Sequence, residues 1–502
     1  MLETADVCII VEGAYPYVSG GVSSWVHDLI VAQAPITFHL VVLKADPAPR
    51  AMRFTLPSNV IGMTEISLQQ SQSHIPDGRA AAQMVQALER PLNALLNRGS
   101  GDDFREIFKV LRAHAAVADS AQLLNSEPAF EMLQRMYQAA VPGGSFLQYF
   151  WSWRSLVGGM LSVLLAKLPK ARVYHAISTG YAGLLMARAV LETRRGGMLT
   201  EHGIYTNERR IEIAMAEWLK DRNNESLEVE KRRRDLSDIW LDAFIGYSRT
   251  CYQFSNPIIT LYSGNQVMQA RDGAPADHMM VIPNGVDVAL YAALARDNRM
   301  RCQTIALIGR VVQIKDVKTY IRAVALLRMK VPQVKALVLG PTDEEPIYYR
   351  ECLDMVTHLG LTDCIEFAGK VRLLDYLGRI DVVVLTSVSE AQPLVLLEAG
   401  AAGVPGVATD VGACREIVEG RPGESPPLGA GGFITPLANP HATAQALAEL
   451  LLNPALRLRC AAVMRQRTER YYSNQTVYAD YGALYRRHIA APDQSPMVFG
   501  AH

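Results

Sequence analysis

The sequence is long, apolar and balanced in charge. Its 502 residues exceed what one hydrophobic core usually supports, and 49% of them are hydrophobic while 20% are charged, so we predict two folded domains and exclude a disordered chain. Fifty basic residues balance fifty acidic ones. The composition therefore gives no support for a nucleic-acid partner, because binding a polyanion requires a basic surface.

Short β-rich runs alternate with helical patterns in the first half of the chain, which is typical of βαβ units and a parallel sheet. The predicted strands are residues 7–11, 37–43, 173–176, 198–200, 244–246 and 279–282. A glycine-bearing loop and a helix at 22–34 follow the first strand. Residues 58–168 have mostly helical patterns, including 80–96 and 104–118. We interpret this region as a helical insertion.

The second half repeats the alternation after a turn cluster at residues 283–287. Its predicted strands are residues 305–308, 336–339, 365–367, 382–385 and 406–408, and a helical pattern runs from 440 to 489 with breaks near 453–454 and 472–473. We predict an α/β protein of two Rossmann-like domains that face a cleft. The first is residues 1–290 and the second is residues 291–470, and residues 471–502 form a helix and tail that pack back on the first domain.

Cysteine usage and apolar patterning predict where the protein works. The seven cysteines are scattered and never form Cys-x-x-Cys, which is typical of a reducing compartment. Residues 1–6 are acidic and unlike a secretory signal. The apolar stretch 156–166 is far short of the roughly 20 residues that span a bilayer. We expect a cytoplasmic protein whose association with any membrane is peripheral or through a partner.

Two common nucleotide motifs are missing from the sequence. The nearest approach to Gly-x-Gly-x-x-Gly, at residues 429–434, lacks the last glycine and follows no predicted strand, which disfavours a dinucleotide oxidoreductase. There is also no Gly-x4-Gly-Lys-Ser/Thr loop. A phosphate ligand must therefore be held in some other way.

A pair of glutamates follows the predicted strand 382–385. Glu390 lies in the loop after the strand, and Glu398 lies in the helix that Pro393, Leu394 and Val395 open. Ligands of open α/β sheets bind at the carboxyl ends of strands, and a helix N-terminus there offers free N–H groups to a diphosphate. Because a carboxylate is seldom buried without partners, we expect Glu398 to accept hydroxyl donors. The alternative is an ordinary surface position, and the spacing alone does not decide between them.

Two cations follow the predicted strand 305–308. Arg310 and Lys315 stand five residues apart in the loop after it. A departing nucleoside diphosphate needs neutralisation, which Arg, Lys and helix dipoles supply in an enzyme without a metal. Alone, two loop cations are more often solvated surface. Together with the glutamate motif, they favour a diphosphate site.

The first domain contributes a glycine pair and two histidines. Gly20 and Gly21 precede a predicted helix, where they allow close backbone approach to a ligand. His202 follows the strand 198–200 and is a candidate ligand of a sugar hydroxyl or transition state, and His175 is a weaker candidate. The alternatives are an ordinary glycine turn and structural histidines.

The second half resembles the fourth family of retaining glycosyltransferases, which have the GT-B fold. The resemblance lies in Glu390-x7-Glu398 within Ser-x-x-Glu…Pro-Leu-x-x-x-Glu-Ala, in residues 403–405 and 409–416, and in the Arg310-x4-Lys315 pair. It implies that Glu390 contacts the donor sugar, that Glu398 binds the ribose hydroxyls, and that the Val371 backbone reads the base. Ala391-Gln392 departs from the Gly-Phe of many members. That departure leaves the sugar open.

Further motifs resemble one subgroup, the glycosyltransferases of the Pel exopolysaccharide system. They are residues 15–17 with the glycine pair, residues 200–210, residues 340–346 and the helical insertion. The resemblance implies a metal-independent transferase without a cofactor, with a UDP-sugar donor, a growing polysaccharide acceptor and an inner-membrane Pel synthase complex as partner. It also implies that His202 faces the donor sugar.

Two other functions and two basic runs remain open at this point. A silent subunit of a membrane synthase would share the fold, as would a nucleotide-sugar epimerase, which needs no glycan acceptor. The runs at residues 231–234 and 465–470 are basic. They suit either an anionic partner or, more commonly, a solvated helix face.

Overall fold

The computed structural model describes residues 4–18, 20–69, 78–204, 206–207, 236–294 and 303–491. The chain forms two compact units. Unit 1 comprises Met1–Thr260, Asn265–Met280 and Tyr481–His502, and unit 2 comprises Leu261–Gly264 and Val281–Asp480. The sequence-based boundary at residues 290 and 291 lies close to the main change of unit, after Met280.

A parallel sheet forms the centre of unit 1. Its strands are β1 (Ala5–Glu12), β2 (Phe38–Lys44), β3 (Val60–Ser67), β4 (Ala171–Ala176), β5 (Gly196–Glu201), β6 (Ile258–Thr260) and β7 (Met279–Val281). They are arranged in the order β3-β2-β1-β4-β5-β6-β7, and the neighbours from β3 to β6 pair in parallel. Strand β1 is an almost continuous apolar run because both of its faces are covered.

Helices surround this sheet and build the insertion. They are α1 (Gly21–Ala32), α2 (Arg79–Leu96), α3 (Gly101–Ala113), α4 (Ser120–Asn125), α5 (Glu127–Ala140), α6 (Phe146–Leu165), α7 (Tyr181–Thr193), α8 (Leu236–Gln253) and α9 (Ser263–Arg271). The buried faces of α2, α3, α5 and α6 join α7, α8 and the sheet in one hydrophobic core. The insertion is therefore an integral part of unit 1.

Three predictions for unit 1 are wrong in detail. Residues 244–246 lie inside helix α8, because a short buried apolar run cannot be told from a buried helix by its pattern. Strand β3 occupies the start of the predicted helical insertion, so the helices begin only at Arg79. As an edge strand β3 is largely half-exposed and gives a weak apolar signal. The three-residue strand β6 was also missed.

Unit 2 contains a second parallel sheet. Its strands are β8 (Thr304–Ile308), β9 (Lys335–Leu339), β10 (Ile365–Gly369), β11 (Val382–Leu385), β12 (Gly406–Thr409) and β13 (Gly432–Thr435). The order is β10-β9-β8-β11-β12-β13, and every neighbouring pair is parallel. In such a doubly wound sheet, the strand order reverses between β8 and β11, and ligands bind outside the carboxyl ends of strands at this point.

The helices of unit 2 cover both faces of its sheet. They are α10 (Val288–Ala292), α11 (Val317–Arg328), α12 (Pro346–His358), α13 (Leu374–Leu377), α14 (Leu394–Ala401), α15 (Cys414–Val418), α16 (Pro440–Leu452) and α17 (Pro454–Tyr471), and a 3₁₀ turn spans Gln313–Lys315. The last helix, α18 (Asn474–Ile489), begins in unit 2 and belongs to unit 1 from Tyr481 onward. The pattern from 440 to 489 and its two breaks are confirmed. Asn453 ends α16 and caps α17 by accepting the Leu456 N–H at 3.1 Å, and Pro454 takes the first helical position.

The predicted fold class is confirmed, since each unit has a Rossmann-like parallel sheet. One strand of unit 2 was missed. The glycine cluster at 429–432 leads directly into β13, whose middle residues Phe433 and Ile434 are only partly buried. Across the ranges given above, no helix has the length and apolar character needed to cross a membrane.

Candidate functional site

The strongest group of predicted residues lies at the β8–β11 reversal of unit 2. Lys315 Nζ donates to Glu390 Oε1 at 2.5 Å, and Ser387 Oγ donates to the same oxygen at 2.6 Å. The two charged side chains keep 21% and 13% of their surface exposed. A charge-assisted pair with limited exposure is held in a defined geometry and still reaches solvent.

Hydrogen bonds between the two loops fix this pair. The Thr386 hydroxyl donates to the carbonyls of Lys315 and Asp316, both at 3.0 Å, and the Val388 N–H donates to the Ile314 carbonyl at 2.9 Å. The loop after β8 is thereby fastened to the loop after β11. The predicted cation and the predicted carboxylate, 75 residues apart in sequence, come together because their strands are neighbours in the sheet.

Arg310 lies in the same loop but is more exposed. Its Nη1 is 2.6 Å from Glu344 Oε2, and the side chains are 54% and 45% exposed. An exposed ion pair of this kind is worth little, about 0–1 kcal/mol. A phosphate group can therefore displace Glu344 from the guanidinium at small cost.

Glu398 occupies the one carboxylate position on the short helix α14. It is partly buried, and the Tyr291 hydroxyl donates to its Oε1 at 2.8 Å. Burial raises the pKa of Glu398, and the Tyr291 hydrogen bond partly opposes that rise. Glu398 is thus not an ordinary exposed glutamate, and it already accepts one hydrogen bond from a hydroxyl group.

The predicted donor-binding residues at the start of α14 and after β10 also lie in unit 2. Helix α14 begins at Leu394, with Pro393 just before it rather than inside it, and no side chain caps its N-terminus. Leu394 is 37% exposed, and Val395 is partly buried. Val371 follows β10 and packs partly against the unit 2 core. No ligand is present, so the assigned contacts of these four residues stay predictions.

The 409–416 motif contains Gly412, and the structure shows why this position is a glycine. Its φ is +52°, and a Cβ at this position would lie 2.2 Å from the Glu390 carbonyl oxygen and 2.4 Å from that of Ala391. Only glycine allows the 410–413 loop to pass so close to the Glu390 backbone. Gly412 therefore sets the position of the Glu390 loop.

Gln392, where many members of the family have another residue, faces the protein interior. It is 7% exposed, its Oε1 accepts the Asn284 N–H at 2.6 Å, and its Nε2 donates to the Leu261 carbonyl at 3.4 Å. The side chain ties two other loops of unit 2 together. This departure from the family pattern has a structural role in the protein interior.

In unit 1, the glycine pair lies at the N-terminus of α1. Gly20 is the N-cap residue with extended backbone and no side-chain cap, and a Cβ added at Gly20 or Gly21 would meet no atom within 4 Å. Neither glycine is required by packing or by a left-handed φ. The N-terminus of α1 therefore has no side-chain cap, and a helix N-terminus of this kind is able to bind an anion.

His202 follows β5 and is partly buried beside α1. Its ring meets the Trp25 ring edge-on at 4.5 Å between centroids. Burial lowers its pKa to about 4, so the imidazole is neutral near pH 7. Within the residues that the structure describes, its Nε2 is buried without a hydrogen-bond partner. A catalytic role for His202 remains a prediction.

His175 and the second basic run have structural roles. His175 is fully buried, with its ring nitrogens 2.7 Å from the Tyr485 hydroxyl and 2.8 Å from the Thr200 hydroxyl, so it is not available to a ligand. Arg467 is 1% exposed, pairs with Glu424 at 2.8 Å and donates to backbone carbonyls. Arg465 and Arg470 of the same run are exposed; Arg465 pairs with Glu469, and Arg470 donates to the Ser425 carbonyl. The run at 231–234 lies outside the described residues.

Sequence reasoning missed three residues of the unit 2 site. Ser387 stands three residues before Glu390 in the quoted motif, and that spacing could have suggested a local hydrogen bond. Glu344 lies within the 340–346 segment, but nothing in the sequence links it to Arg310. Tyr291 is 107 residues from Glu398, and no pattern predicts that contact.

Each unit of the chain matches a known family model. Residues 5–277 match the family model described as a domain of unknown function, DUF3492. Residues 302–453, which contain the Lys315–Glu390 pair and Glu398, match the model of the glycosyl transferases group 1.

Curated relatives are similar over part of the chain. A D-inositol 3-phosphate glycosyltransferase of Kineococcus radiotolerans is 30% identical over 234 residues, which cover 43% of this chain and 53% of that protein. An MMP alpha-(1->4)-mannosyltransferase of Mycolicibacterium hassiacum is 28% identical over 300 residues, covering 58% of this chain and 65% of that protein. The chain thus spans between about half and two thirds of the length of these relatives.

Solved structures share the fold over nearly the whole chain. A sucrose-phosphate synthase from Thermosynechococcus elongatus superposes with a TM-score of 0.58 at 18% identity, covering 97% of this chain and 100% of that one. Anabaena HepE in complex with UDP gives 0.59 at 15% identity, with 96% and 100% coverage. These neighbours have the GT-B fold of two Rossmann-like domains. The chain therefore belongs to the DUF3492 family, and it carries a glycosyl transferases group 1 region in unit 2 on a GT-B fold.

Proposed function

We propose that the protein transfers a sugar from a UDP-sugar to a growing exopolysaccharide, with retention of the anomeric configuration. The observation that carries the proposal is the cluster at the β8–β11 reversal, where Lys315, Glu390 and Ser387 are hydrogen-bonded and lie in the loops next to the open start of α14. The match of residues 302–453 to the group 1 glycosyltransferases supports it. So does the fold shared with HepE, whose structure holds UDP.

In this proposal the diphosphate is neutralised by protein groups alone. Arg310 is held only by an exposed pair with Glu344, and Lys315 keeps a fifth of its side chain exposed. The N–H groups at the start of α14 add the positive end of a helix dipole. Two cations and a helix terminus stabilise the negative charge that develops on the diphosphate as the bond to the sugar breaks, and we propose that no divalent metal is needed.

The two glutamates serve different parts of the donor. Glu398 accepts hydrogen bonds from the ribose hydroxyls, with Tyr291 holding one of its oxygens in place. Glu390 contacts the hexose, and Lys315 and Ser387 fix its carboxylate. The uracil lies against the backbone of Val371. This division follows the order of the elements, since Glu390 is in the loop after β11 and Glu398 is one turn inside α14.

The proposed reaction exchanges one C–O bond for another. The bond from the sugar C1 to the phosphate oxygen breaks, and its electron pair leaves with UDP. An acceptor hydroxyl forms a new bond to C1 from the same face, and its proton passes to the departing phosphate oxygen. We propose that neutral His202 accepts a hydrogen bond from a sugar hydroxyl, and that the open N-terminus of α1 at Gly20 and Gly21 binds the anionic part of a substrate.

The acceptor and partners are proposed from the Pel-like motifs. Residues 15–17 and 340–346 carry them, together with residues 200–210, of which 205 and 208–210 lie outside the described part of the chain. We propose that the acceptor is the growing exopolysaccharide and that an inner-membrane synthase complex recruits the protein from the cytoplasm. The proposal rests on those motifs, and the donor sugar is left to experiment.

A donor panel tests the proposal. Calorimetric titration of the purified chain with UDP, GDP and ADP, each with and without EDTA, should show UDP binding most tightly and no effect of the chelator. Individual UDP-sugars then identify the hexose. Preference for GDP or ADP, or binding that requires magnesium or manganese, would contradict it. Release of UDP and free sugar in the absence of any glycan acceptor would instead favour an epimerase.

A further inference from the structure

A cavity in unit 1 is lined largely by arginine side chains. It has a volume of about 620 Å³ and lies where β5 begins, at Gly196 and Gly197, between the end of α7 and the last helix, α18. Its lining includes six basic side chains and no aspartate or glutamate among the described residues. The six are Arg105, Arg172, Arg194, Arg195, Arg487 and His488.

Carboxylates near the cavity pair with two of its five arginines. Arg105 pairs with Asp102 and lies over the Phe254 ring. Arg172 Nε is 4.0 Å from Asp6 Oδ1, at the limit of an ion pair. In a typical protein surface the two signs are interspersed, so a concave lining of one sign raises the local concentration of anions.

Two polar atoms at the cavity lack partners. Arg194 Nε and His488 Nε2 are both buried, and neither has a hydrogen-bond partner within the described ranges. Buried polar groups are nearly always hydrogen-bonded, and each one that is not needs a physical reason. Both residues belong to the cavity lining, where charged guanidinium groups are the donors that an anionic ligand satisfies.

Arg194 lies at the turn that joins α7 to β5. Arg194 ends α7 in the left-handed region with φ of 59°, a strained conformation for a residue other than glycine. Its N–H donates to the Val190 carbonyl at 2.9 Å, and the chain then turns directly into β5. The turn that ends α7 is thus part of the cavity wall.

We propose that this cavity binds a ligand with two or more phosphate charges, at a site separate from the sugar-transfer residues of unit 1. The cavity lies where β4 and β5 begin, whereas Gly20, Gly21 and His202 lie beyond the ends of β1 and β5. A six-residue strand spans about 20 Å, so one small ligand does not reach both edges. The volume is in the range of about 300–1,000 Å³ that small-molecule sites occupy. The phosphates belong either to a free metabolite or to a lipid headgroup.

Titration with sodium tripolyphosphate tests the site in the full-length chain. All proteins in the comparison carry Arg310→Gln, which weakens the proposed diphosphate site of unit 2. We expect Arg487→Gln to weaken tripolyphosphate binding, and Arg194→Gln with Arg487→Gln to weaken it by roughly tenfold to a hundredfold, as the loss of charge-assisted hydrogen bonds predicts. Arg487 is exposed on α18, so its single variant folds even if Arg194→Gln disturbs the turn.

A charge-matched control separates this site from general attraction. Arg90 and Arg322 are exposed on helices away from the cavity lining, and Arg90→Gln with Arg322→Gln should change the affinity by less than about twofold. Flotation with vesicles that contain cardiolipin, whose headgroup carries two phosphates, distinguishes the sources. Cavity-dependent vesicle binding with weak tripolyphosphate binding assigns the phosphates to a headgroup, and the reverse assigns them to a free metabolite.

Two results would overturn the proposal. One is that neither probe responds to the cavity variants although the variants melt like the parent. The other is that the control pair lowers binding as much as the cavity pair does. Because every protein in the series carries Arg310→Gln, these outcomes do not depend on whether the proposed sugar transfer in unit 2 is correct.

Discussion

Replacing Glu398 by alanine should weaken the binding of UDP and of UDP-sugar to the same extent. Glu398 Oε1 already accepts the Tyr291 hydroxyl at 2.8 Å, and the carboxylate is partly buried. If both ribose hydroxyls donate to it, the variant loses charge-assisted hydrogen bonds that are present with either ligand. Their loss costs about 1.5–3 kcal/mol, or roughly a 10- to 150-fold rise in Kd.

Calorimetric titration with UDP measures the effect directly. Glu449, exposed on α16, gives a matched control, and Glu449→Ala should leave the UDP affinity unchanged. Glu390→Ala should also leave it nearly unchanged and instead lower turnover and the preference among UDP-sugars, because UDP carries no hexose. Equal losses of UDP affinity in the Glu390 and Glu398 variants, or no loss in either, would refute the assigned roles.

The pH dependence of folding gives an independent check on Glu398. Burial raises its pKa in the folded protein above the ordinary 4.5. A carboxyl group with a raised folded pKa stabilises the fold below its unfolded pKa, and that contribution is lost as the pH rises through the folded pKa. Glu398→Gln is neutral at every pH, so its stability relative to the parent should increase as the pH rises through that range in urea titrations.

Three further predictions concern other parts of the structure. His202→Ala should lower turnover without changing the UDP affinity of unit 2. In addition, burial lowers the pKa of His202 in the folded protein from 6.5 to about 4. The parent should therefore lose the stability that neutral His202 contributes as the pH falls through this interval, which thermal melts at several pH values measure. Gly412→Ala should destabilise unit 2 by about 1–3 kcal/mol and reduce turnover, since its Cβ would lie 2.2 Å from the Glu390 carbonyl; urea unfolding and a rate assay check both. Arg467→Met should cost about 3–5 kcal/mol in urea unfolding, because it leaves the Glu424 carboxylate without its buried partner.

Central strands and long helices could be predicted from the sequence because burial decides their pattern. Strand β1 is nearly continuous in apolar residues, and the breaks of the C-terminal helices coincide with Asn453 and Ser473, where capping and turn chemistry are local. The edge strand β3 could not be recognised because half-exposed positions follow no strict pattern. Residues 244–246 were misassigned because a buried helix and a buried strand are equally apolar over a few residues.

Some residues of the candidate site could likewise be predicted from the sequence, and others could not. Lys315 and Glu390 were predicted from their loops, since strand ends of one parallel sheet meet at one edge. Tyr291 could not be predicted, because its contact with Glu398 depends on how α10 packs on α14. Arg467 looked like a surface charge, and its burial depends on Glu424 and on carbonyls from other elements. Such contacts belong to tertiary packing and leave no trace in local sequence.

Transfer of a sugar to a glycan is the central claim, and NMR of the product tests it most directly. The purified chain is incubated in EDTA with the preferred UDP-sugar and a panel of oligosaccharide acceptors, with Lys315→Ala as the inactive comparison. We predict an elongated oligosaccharide whose new linkage keeps the anomeric configuration of the donor, formed by the parent and lost in the variant. An inverted linkage, or UDP release in every case without an elongated acceptor, would contradict the account.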